Sequence, residues 1–118
     1  MQGWLDDTIN AAKELKNNPQ VNSVWLAGFG TGGALAITAA SLTEEISGVA
    51  AISAPSDFRD WAQDPDQLLQ YSRTVGAISD PNFPQDEASW AAEIDLIRPV
   101  EAAGEITQKP LLVVYGAS

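Results

Sequence analysis

The sequence predicts an α/β fold in which a small parallel β-sheet is flanked by helices. Three short apolar runs predict the strands, at residues 24–27, 49–53 and 111–115. Segments with helical spacing separate these runs, and a dense cluster of glycines follows the first run directly. Strands that are apolar on both faces and alternate with helices are typical of parallel sheets covered on both sides. We therefore expect the three runs to form adjacent parallel strands in that spatial order.

The first half of the chain contains two predicted helices. Apolar residues recur at helical spacing over about residues 4–17, and Asn17, Asn18 and Pro19 end that amphipathic helix. The second helix, from about residue 31 to 42, is almost continuously Ala, Leu and Ile, which predicts burial on most sides. A strand, a helix and a second strand in this order favour a right-handed crossover between parallel neighbours.

Residues 57–105 differ in character and read as a helical insertion before the third strand. Asp64-Pro65 and Asp80-Pro81 bound a predicted helix of about 12 residues, because Asp-Pro pairs mark turns and helix starts. A second apolar stripe runs from Trp90 to Ile97, and Pro99–Glu105 predicts a last short helix. The aromatic residues of these stripes are expected to serve packing.

The composition excludes several classes of function. The chain has 16 Asp and Glu against 6 Lys and Arg, a net charge of −10, which argues against nucleic acid or an anionic membrane surface as a partner. It contains no Cys and no His, and its carboxylates show no metal-ligand spacing, so we expect no metal and no cofactor. No run reaches the ~20 apolar residues of a membrane span, and residues 1–10 lack the pattern of a signal peptide. A cytoplasmic location is expected.

The glycine cluster at residues 28–33 (GFGTGG) is the most informative stretch. The apolar run before it and the Ala-rich segment after it predict a strand, a sharp turn and a helix. Glycines allow a tight reversal and a close approach of the helix to the strand. Such a turn directs free backbone N–H groups into a small volume at the positive end of the helix dipole.

Three interpretations of this cluster compete. Gly28, Gly30 and Gly33 match the dinucleotide fingerprint G-x-G-x-x-G, which places a pyrophosphate at the helix N-terminus. Residues 28–32 match the nucleophile elbow G-x-S-x-G, except that Gly30 stands where the serine should be. The third interpretation is a structural turn without a ligand.

Four segments, in order, resemble the central part of the α/β-hydrolase superfamily. The cluster GFGTGG resembles the elbow of that family, and GVAAISAPSDF (48–58) resembles the next strand and its exit. The stretch 57–105 resembles the inserted cap, and RPVEAAGEITQKPLLVVYG (98–116) resembles the approach to the strand that presents the acid. The resemblance implies a partial α/β-hydrolase-like parallel sheet with a small helical cap insertion. It also implies that the rest of the hydrolase domain lies outside this chain on both sides.

The resemblance implies a protein of the serine esterase or peptidase type that lacks its nucleophile. Gly30 carries no hydroxyl, the acid and the histidine are absent, and no residue is therefore assigned as catalytic. Thr31 occupies the position whose backbone N–H serves the oxyanion hole in the family. The flanking elbow residues that complete the assignment are Gly28, Phe29, Gly32 and Gly33.

Two alternatives from other classes remain open. The chain is a binding module or pseudo-enzyme that holds a small carbonyl or anionic ligand at the turn, or it is a dinucleotide-binding unit. The second is weaker, because the tip of the second strand reads Ser53-Ala54-Pro55 and lacks the acidic residue that would hold a ribose. Ser53 and Ser56 are expected near the same rim, as cap contacts.

Overall fold

The structure is a computed structural model that describes residues 1–116. It contains, in chain order, α1 (Gln2–Lys16), β1 (Val24–Phe29), α2 (Thr31–Leu42), β2 (Ile46–Ile52), α3 (Arg59–Gln63), α4 (Pro65–Thr74), α5 (Glu87–Asp95), α6 (Pro99–Glu105) and β3 (Leu111–Val114). The described residues form two compact units, which we describe separately. The sheet unit comprises residues 1–57 and 97–116, and the helical unit comprises residues 58–96.

The three strands form one parallel sheet in the order β1-β2-β3. This confirms the predicted α/β class, the parallel pairing and the spatial order of the strands. The strand boundaries differ from the prediction: β1 continues to Phe29, and β2 begins at Ile46. Backbone pairing sets these limits, because residues 24–29 pair with residues 46–52 beyond the purely apolar runs.

Helix α2 is the central helix of the sheet unit. It contacts β1, β2, α1 and α6, and every residue from Gly33 to Ala40 is buried. Small side chains allow this, since Ala leaves room for neighbours on all sides. The prediction that this helix is buried on most sides is confirmed. Helix α1 contributes less apolar surface than its sequence stripe indicated, because it buries only Leu5 and Ala12 among its residues.

Strands β1 and β2 are covered on one face. Alternate residues of β1 and β2 face α2, and Val49 and Ala51 there have no exposed surface. On the opposite face, Trp25 and Phe29 are 55% and 72% exposed. The expectation that the strands are covered on both faces is therefore wrong for residues 1–116: β1 and β2 are covered on the α2 face alone, and Val113 of β3, on that same face, is 42% exposed.

Lys109 connects the loop before β3 to the C-terminal end of α2. Its Nζ donates hydrogen bonds to the carbonyl oxygens of Ala40 (2.7 Å) and Thr43 (2.5 Å). The last carbonyls of a helix lack intrahelical partners and carry the negative end of the dipole, so a cation there is stabilising. Lys109 thus joins segments more than 60 residues apart in sequence.

The helical unit is organised by two aromatic pairs and two capped helices. Phe58 and Trp61 lie with ring centroids 5.1 Å apart, and Phe83 meets Trp90 edge-on at 6.0 Å. The Asp64 carboxylate caps α4 by accepting from the backbone N–H of Gln67 at 3.1 Å. Trp90, in the second predicted stripe, is buried and serves packing as expected, whereas Tyr71, in the first, is 65% exposed and does not.

Asp86 caps α5 in the same way. Its carboxylate accepts from the Ser89 hydroxyl at 2.8 Å and from the backbone N–H groups of Ser89 and Ala88. The hydrogen bonds from the hydroxyl and the backbone of Ser89 hold the pKa of Asp86 below its ordinary value. The cap is therefore ionised and effective over the whole neutral range of pH.

The helical unit is shorter than the insertion expected over residues 57–105. It ends at Leu96, and α6 packs against α2 within the sheet unit. Pro99 and Ala102 provide the buried side of α6. No helix among residues 1–116 is long and apolar enough to cross a membrane.

Replacing Lys109 by Met should destabilise the fold. The substitution keeps the aliphatic stem but leaves the carbonyls of Ala40 and Thr43 without their charged donor, which should cost about 1.5–3 kcal/mol. Urea denaturation followed by circular dichroism measures the free energy of unfolding. The control is Lys13→Met on the exposed side of α1, which should change it by less than about 0.5 kcal/mol. Equal effects of the two substitutions would contradict the connection described here.

Candidate functional site

A single residue, Gly30, turns the chain from β1 into α2. Its backbone has φ 54° and ψ −125°, a left-handed conformation that glycine adopts at little cost and other residues rarely adopt. Its N–H donates to the carbonyl of Ile52 at 2.9 Å and so extends the pairing with β2. Its carbonyl accepts from the N–H of Gly33 at 3.0 Å and so begins the helix. Gly30 is thus both the last residue of the ladder and the N-cap of α2.

Space is open at position 30. A Cβ atom built on Gly30 meets no heavy atom within 4 Å, so a side chain there would project from the turn without obstruction. Residue 30 is also only partly buried. The residue type, and not the room available, therefore decides which chemical group stands at the tip of the turn.

Gly28 and Gly33 permit the close approach of α2 to the sheet. A Cβ on Gly28 would lie 2.3 Å from the carbonyl oxygen of Gly32, and backbone would have to move to accept it. A Cβ on Gly33 would lie 3.0 Å from both the Cβ of Ala54 and the carbonyl oxygen of Gly28. Gly32, in contrast, has no neighbour within 4 Å of such an atom. The glycines of the motif therefore have different physical roles.

Two backbone N–H groups at the start of α2 have no acceptor among the described residues: those of Thr31 and Gly32. No side chain caps α2, whereas Asp64 and Asp86 cap α4 and α5. Gly32 is exposed and Thr31 is partly exposed. These N–H groups lie at the positive end of the α2 dipole and can donate to a carbonyl oxygen or an anion.

The neighbouring strand ends in a second unusual turn. Ser53 follows β2 with φ 53°, the one positive φ among the described non-glycine residues. Its N–H donates to the carbonyl of Val114 at 2.7 Å, and its side chain is exposed. Because Ile52 pairs with Phe29, Ser53 lies at the same edge of the sheet as Gly30. The sequence placed Ser53 at this rim, but no residue pattern indicated its strained backbone.

The turn at Ser53 directs Ala54 into the protein. Ala54 is buried, at the point where Gly33 leaves no room for a side chain. The Tyr115 hydroxyl, beyond β3, donates to the carbonyl of Ala54 at 2.9 Å and fixes this turn. Ser56 is exposed and takes no part in these contacts.

The site lacks the other parts of a hydrolytic centre. The chain has no histidine, and no cluster of metal-ligating side chains occurs among residues 1–116. Two surface cavities lie away from the turn, one against residues 14–19 and one at the C-terminal end of α2 beside Lys109. The turn itself offers backbone donors and an open position, but no general base.

The chain matches no protein-family model, and no curated protein matches it in sequence. The interpretation of residues 28–33 therefore rests on the geometry of the turn. That geometry contains a one-residue reversal at Gly30, a helix held close by Gly28 and Gly33, and free N–H groups at Thr31 and Gly32.

The glycines of the turn should respond differently to substitution by alanine. Gly28→Ala forces the new Cβ against backbone atoms of Gly32 and should cost about 1–3 kcal/mol or more. Gly32→Ala meets open space inside a helix and should be neutral or stabilise by up to about 1 kcal/mol. Thermal and urea unfolding of the two variants measure this difference. Equal destabilisation would show that the close approach at Gly28 is not as described.

Proposed function

We propose that this chain is the central part of a protein of the α/β-hydrolase type, related to serine esterases and peptidases, whose elbow lacks the nucleophile. In this proposal the turn binds the carbonyl oxygen of a ligand without forming a covalent bond to it. The observation that carries the proposal is the backbone of Gly30, with φ 54° and ψ −125° between a parallel strand and a buried helix.

The positive φ of Gly30, between a parallel strand and a helix, supports the elbow assignment. An elbow holds its nucleophile on a sharp, strained strand-to-helix turn, so that the side chain is exposed above the sheet. Gly76, after α4, also combines a positive φ with open space, so what distinguishes Gly30 is its place between a parallel strand and a buried helix. The strain usually imposed on a serine is absent in this chain, because glycine adopts this backbone freely.

Without a side chain at residue 30, covalent catalysis at that residue is not possible. An acyl-enzyme needs a nucleophilic oxygen, and glycine supplies none. Thr31 does not replace it, since Thr31 is the first residue of α2 and lies one position past the tip of the turn. What remains is the pair of N–H donors at Thr31 and Gly32, which can polarise a bound carbonyl.

The charge of the chain favours a neutral carbonyl ligand over an anion. Neither residues 28–33 nor residues 52–57 include a Lys or Arg, and the net charge is −10. Lys109, in the sheet unit, donates its hydrogen bonds to carbonyl oxygens at the C-terminal end of α2, which is the end away from the turn. The only attraction on an anion at the turn would come from the α2 dipole, and the negative charge of the chain would repel it. A neutral amide or ester carbonyl avoids that repulsion.

Fluorophosphonate labelling tests the assignment of residue 30. The protein in its longest natural form should not be labelled, and Gly30→Ser should create labelling at residue 30 if the flanking sequence supplies an acid and a histidine. The serine should also lower the free energy of unfolding by about 1–3 kcal/mol, because it must adopt the left-handed conformation.

The matched control for labelling is Gly32→Ser, which also has open space but lies within the helix. It should give no labelling. Labelling of the unsubstituted protein, at Thr31 or elsewhere, would show that the protein has a working nucleophile and is not a non-catalytic member. A Gly30→Ser protein that stays inert beside a complete acid and histidine would contradict the elbow assignment.

Amide chemical shifts test the ligand class directly. Titration with N-methylacetamide should move the ¹H–¹⁵N signals of Thr31 and Gly32, and acetate should move them less. The N–H groups of Ala88 and Ser89 are the internal control, because Asp86 already occupies them. Larger shifts with acetate would favour an anion site. Shifts at residues 28–33 with NAD, and none with N-methylacetamide, would favour the dinucleotide alternative.

The cytoplasmic location expected from the sequence is retained as part of the proposal.

A further inference from the structure

Within the described sheet unit, one face of the sheet is apolar throughout, and no other element of that unit covers it. We call it the open face. Side chains alternate along a strand, and Gly28 on β1 faces α2, so the intervening residues point to the other side. With their partners in register they are Trp25, Ala27, Phe29, Gly48, Ala50, Ile52, Leu112 and Val114.

The side chains of the open face are as exposed as those of a protein surface, but they are apolar like those of a protein core. Phe29, Leu112 and Trp25 are 72%, 59% and 55% exposed, and none of the eight residues is polar or charged. The Trp25 ring lies directly on Gly48, where a Cβ would approach it to 2.4 Å. The indole therefore makes the apolar surface of the open face continuous from β1 to β2.

We propose that the open face is a docking surface for an amphipathic α-helix with an uncharged apolar stripe and basic flanks. The inference is independent of the function proposed for Gly30. Parallel sheets occur almost only with both faces covered, and helices are the elements that cover them. An added strand would extend an edge of the sheet and leave these side chains in water.

The dimensions of the face suit one helix. Three strands about 4.8 Å apart and about five residues long make a surface about 14 Å wide and about 16 Å long. A helix with its side chains is about 10–12 Å across. A stable dimer interface needs about 800 Å² from each partner, which is more than this face offers. The area therefore favours a helix over a second copy of the chain.

The charge of the chain supports the same choice. Two copies would each bring a net charge of −10, and like charges oppose association. A helix with Lys or Arg beside its apolar stripe is attracted by the same field. The partner is therefore an amphipathic helix whose polar flanks are basic.

A synthetic helix of about 18 residues, with Leu and Ala at i, i+3, i+4 and i+7 and Lys elsewhere, serves as the probe. Fluorescence anisotropy of the labelled peptide measures its binding to the unsubstituted chain. We expect saturable binding, at least about tenfold tighter than that of a peptide with the same composition and dispersed Leu. A third peptide, with Glu in place of Lys, should bind more weakly than the Lys peptide.

Two substitutions of equally exposed leucines locate the binding surface. Leu112 on the open face and Leu42 at the end of α2 are both 59% exposed. Leu112→Lys should weaken binding of the Lys peptide at least about tenfold, because a charge replaces buried apolar surface. Leu42→Lys should change it by less than about twofold. Circular dichroism checks that both variants fold, and Val114→Lys replaces Leu112→Lys if that variant unfolds.

Several results would overturn the proposal. Equal binding of the striped and dispersed peptides would mean that the face does not select a helix. Equal loss with Leu42→Lys would place binding elsewhere. Sedimentation showing a dimer that Leu112→Lys converts to a monomer would make a second copy the occupant. Binding to phosphatidylcholine vesicles that Leu112→Lys abolishes would make the occupant a lipid surface.

Discussion

The close approach of α2 to the end of β1 is the constraint on which the sheet unit depends. Gly28 leaves no room for a Cβ against the backbone of Gly32, and Gly33 is nearly as restricted against Ala54. This contact lets the Ala-rich helix bury residues 33–40 against β1 and β2. Lys109 then holds the opposite end of the same helix. The helix is thus fixed at its start by the turn that precedes it and by Ala54, and at its end by Lys109.

The same constraint shapes the candidate site. Because the helix begins directly at the strand end, one residue must reverse the chain, and Gly30 does so with a left-handed backbone. The first N–H groups of the helix are then left free at the carboxyl edge of the sheet. Ser53 also has a positive φ, at the next strand end, and the residue after it, Ala54, packs against Gly33 of the glycine turn. Strain at Ser53 is therefore offset by packing and by the Tyr115 hydrogen bond.

The two faces of the sheet and the charge of the chain together motivate the two binding sites proposed here. The α2 face is closed by small buried side chains, while the open face presents large exposed ones. A net charge of −10 disfavours anions at the turn and a second copy on the open face. It is the reason for proposing a neutral carbonyl as the ligand of the turn and a basic amphipathic helix as the partner of the open face. The two proposed sites are chemically distinct, since one is made of backbone donors and the other of apolar surface.

The sequence by itself determined the parallel three-stranded sheet, its strand order, the buried α2 and the absence of a nucleophile at residue 30. These features follow from local patterns: two-sided apolar runs, an Ala-rich helix and a glycine-rich turn. Tertiary structure alone decided the different roles of Gly28 and Gly32, which the motif treats alike, and the backbone of Ser53. It also decided that α6 packs with α2, and that β1 is exposed on one face. The packing of α6 and the exposure of β1 depend on which distant residues come into contact. The roles of Gly28, Gly32 and Ser53 depend on the backbone geometry of the two turns, which no local pattern of residues contains.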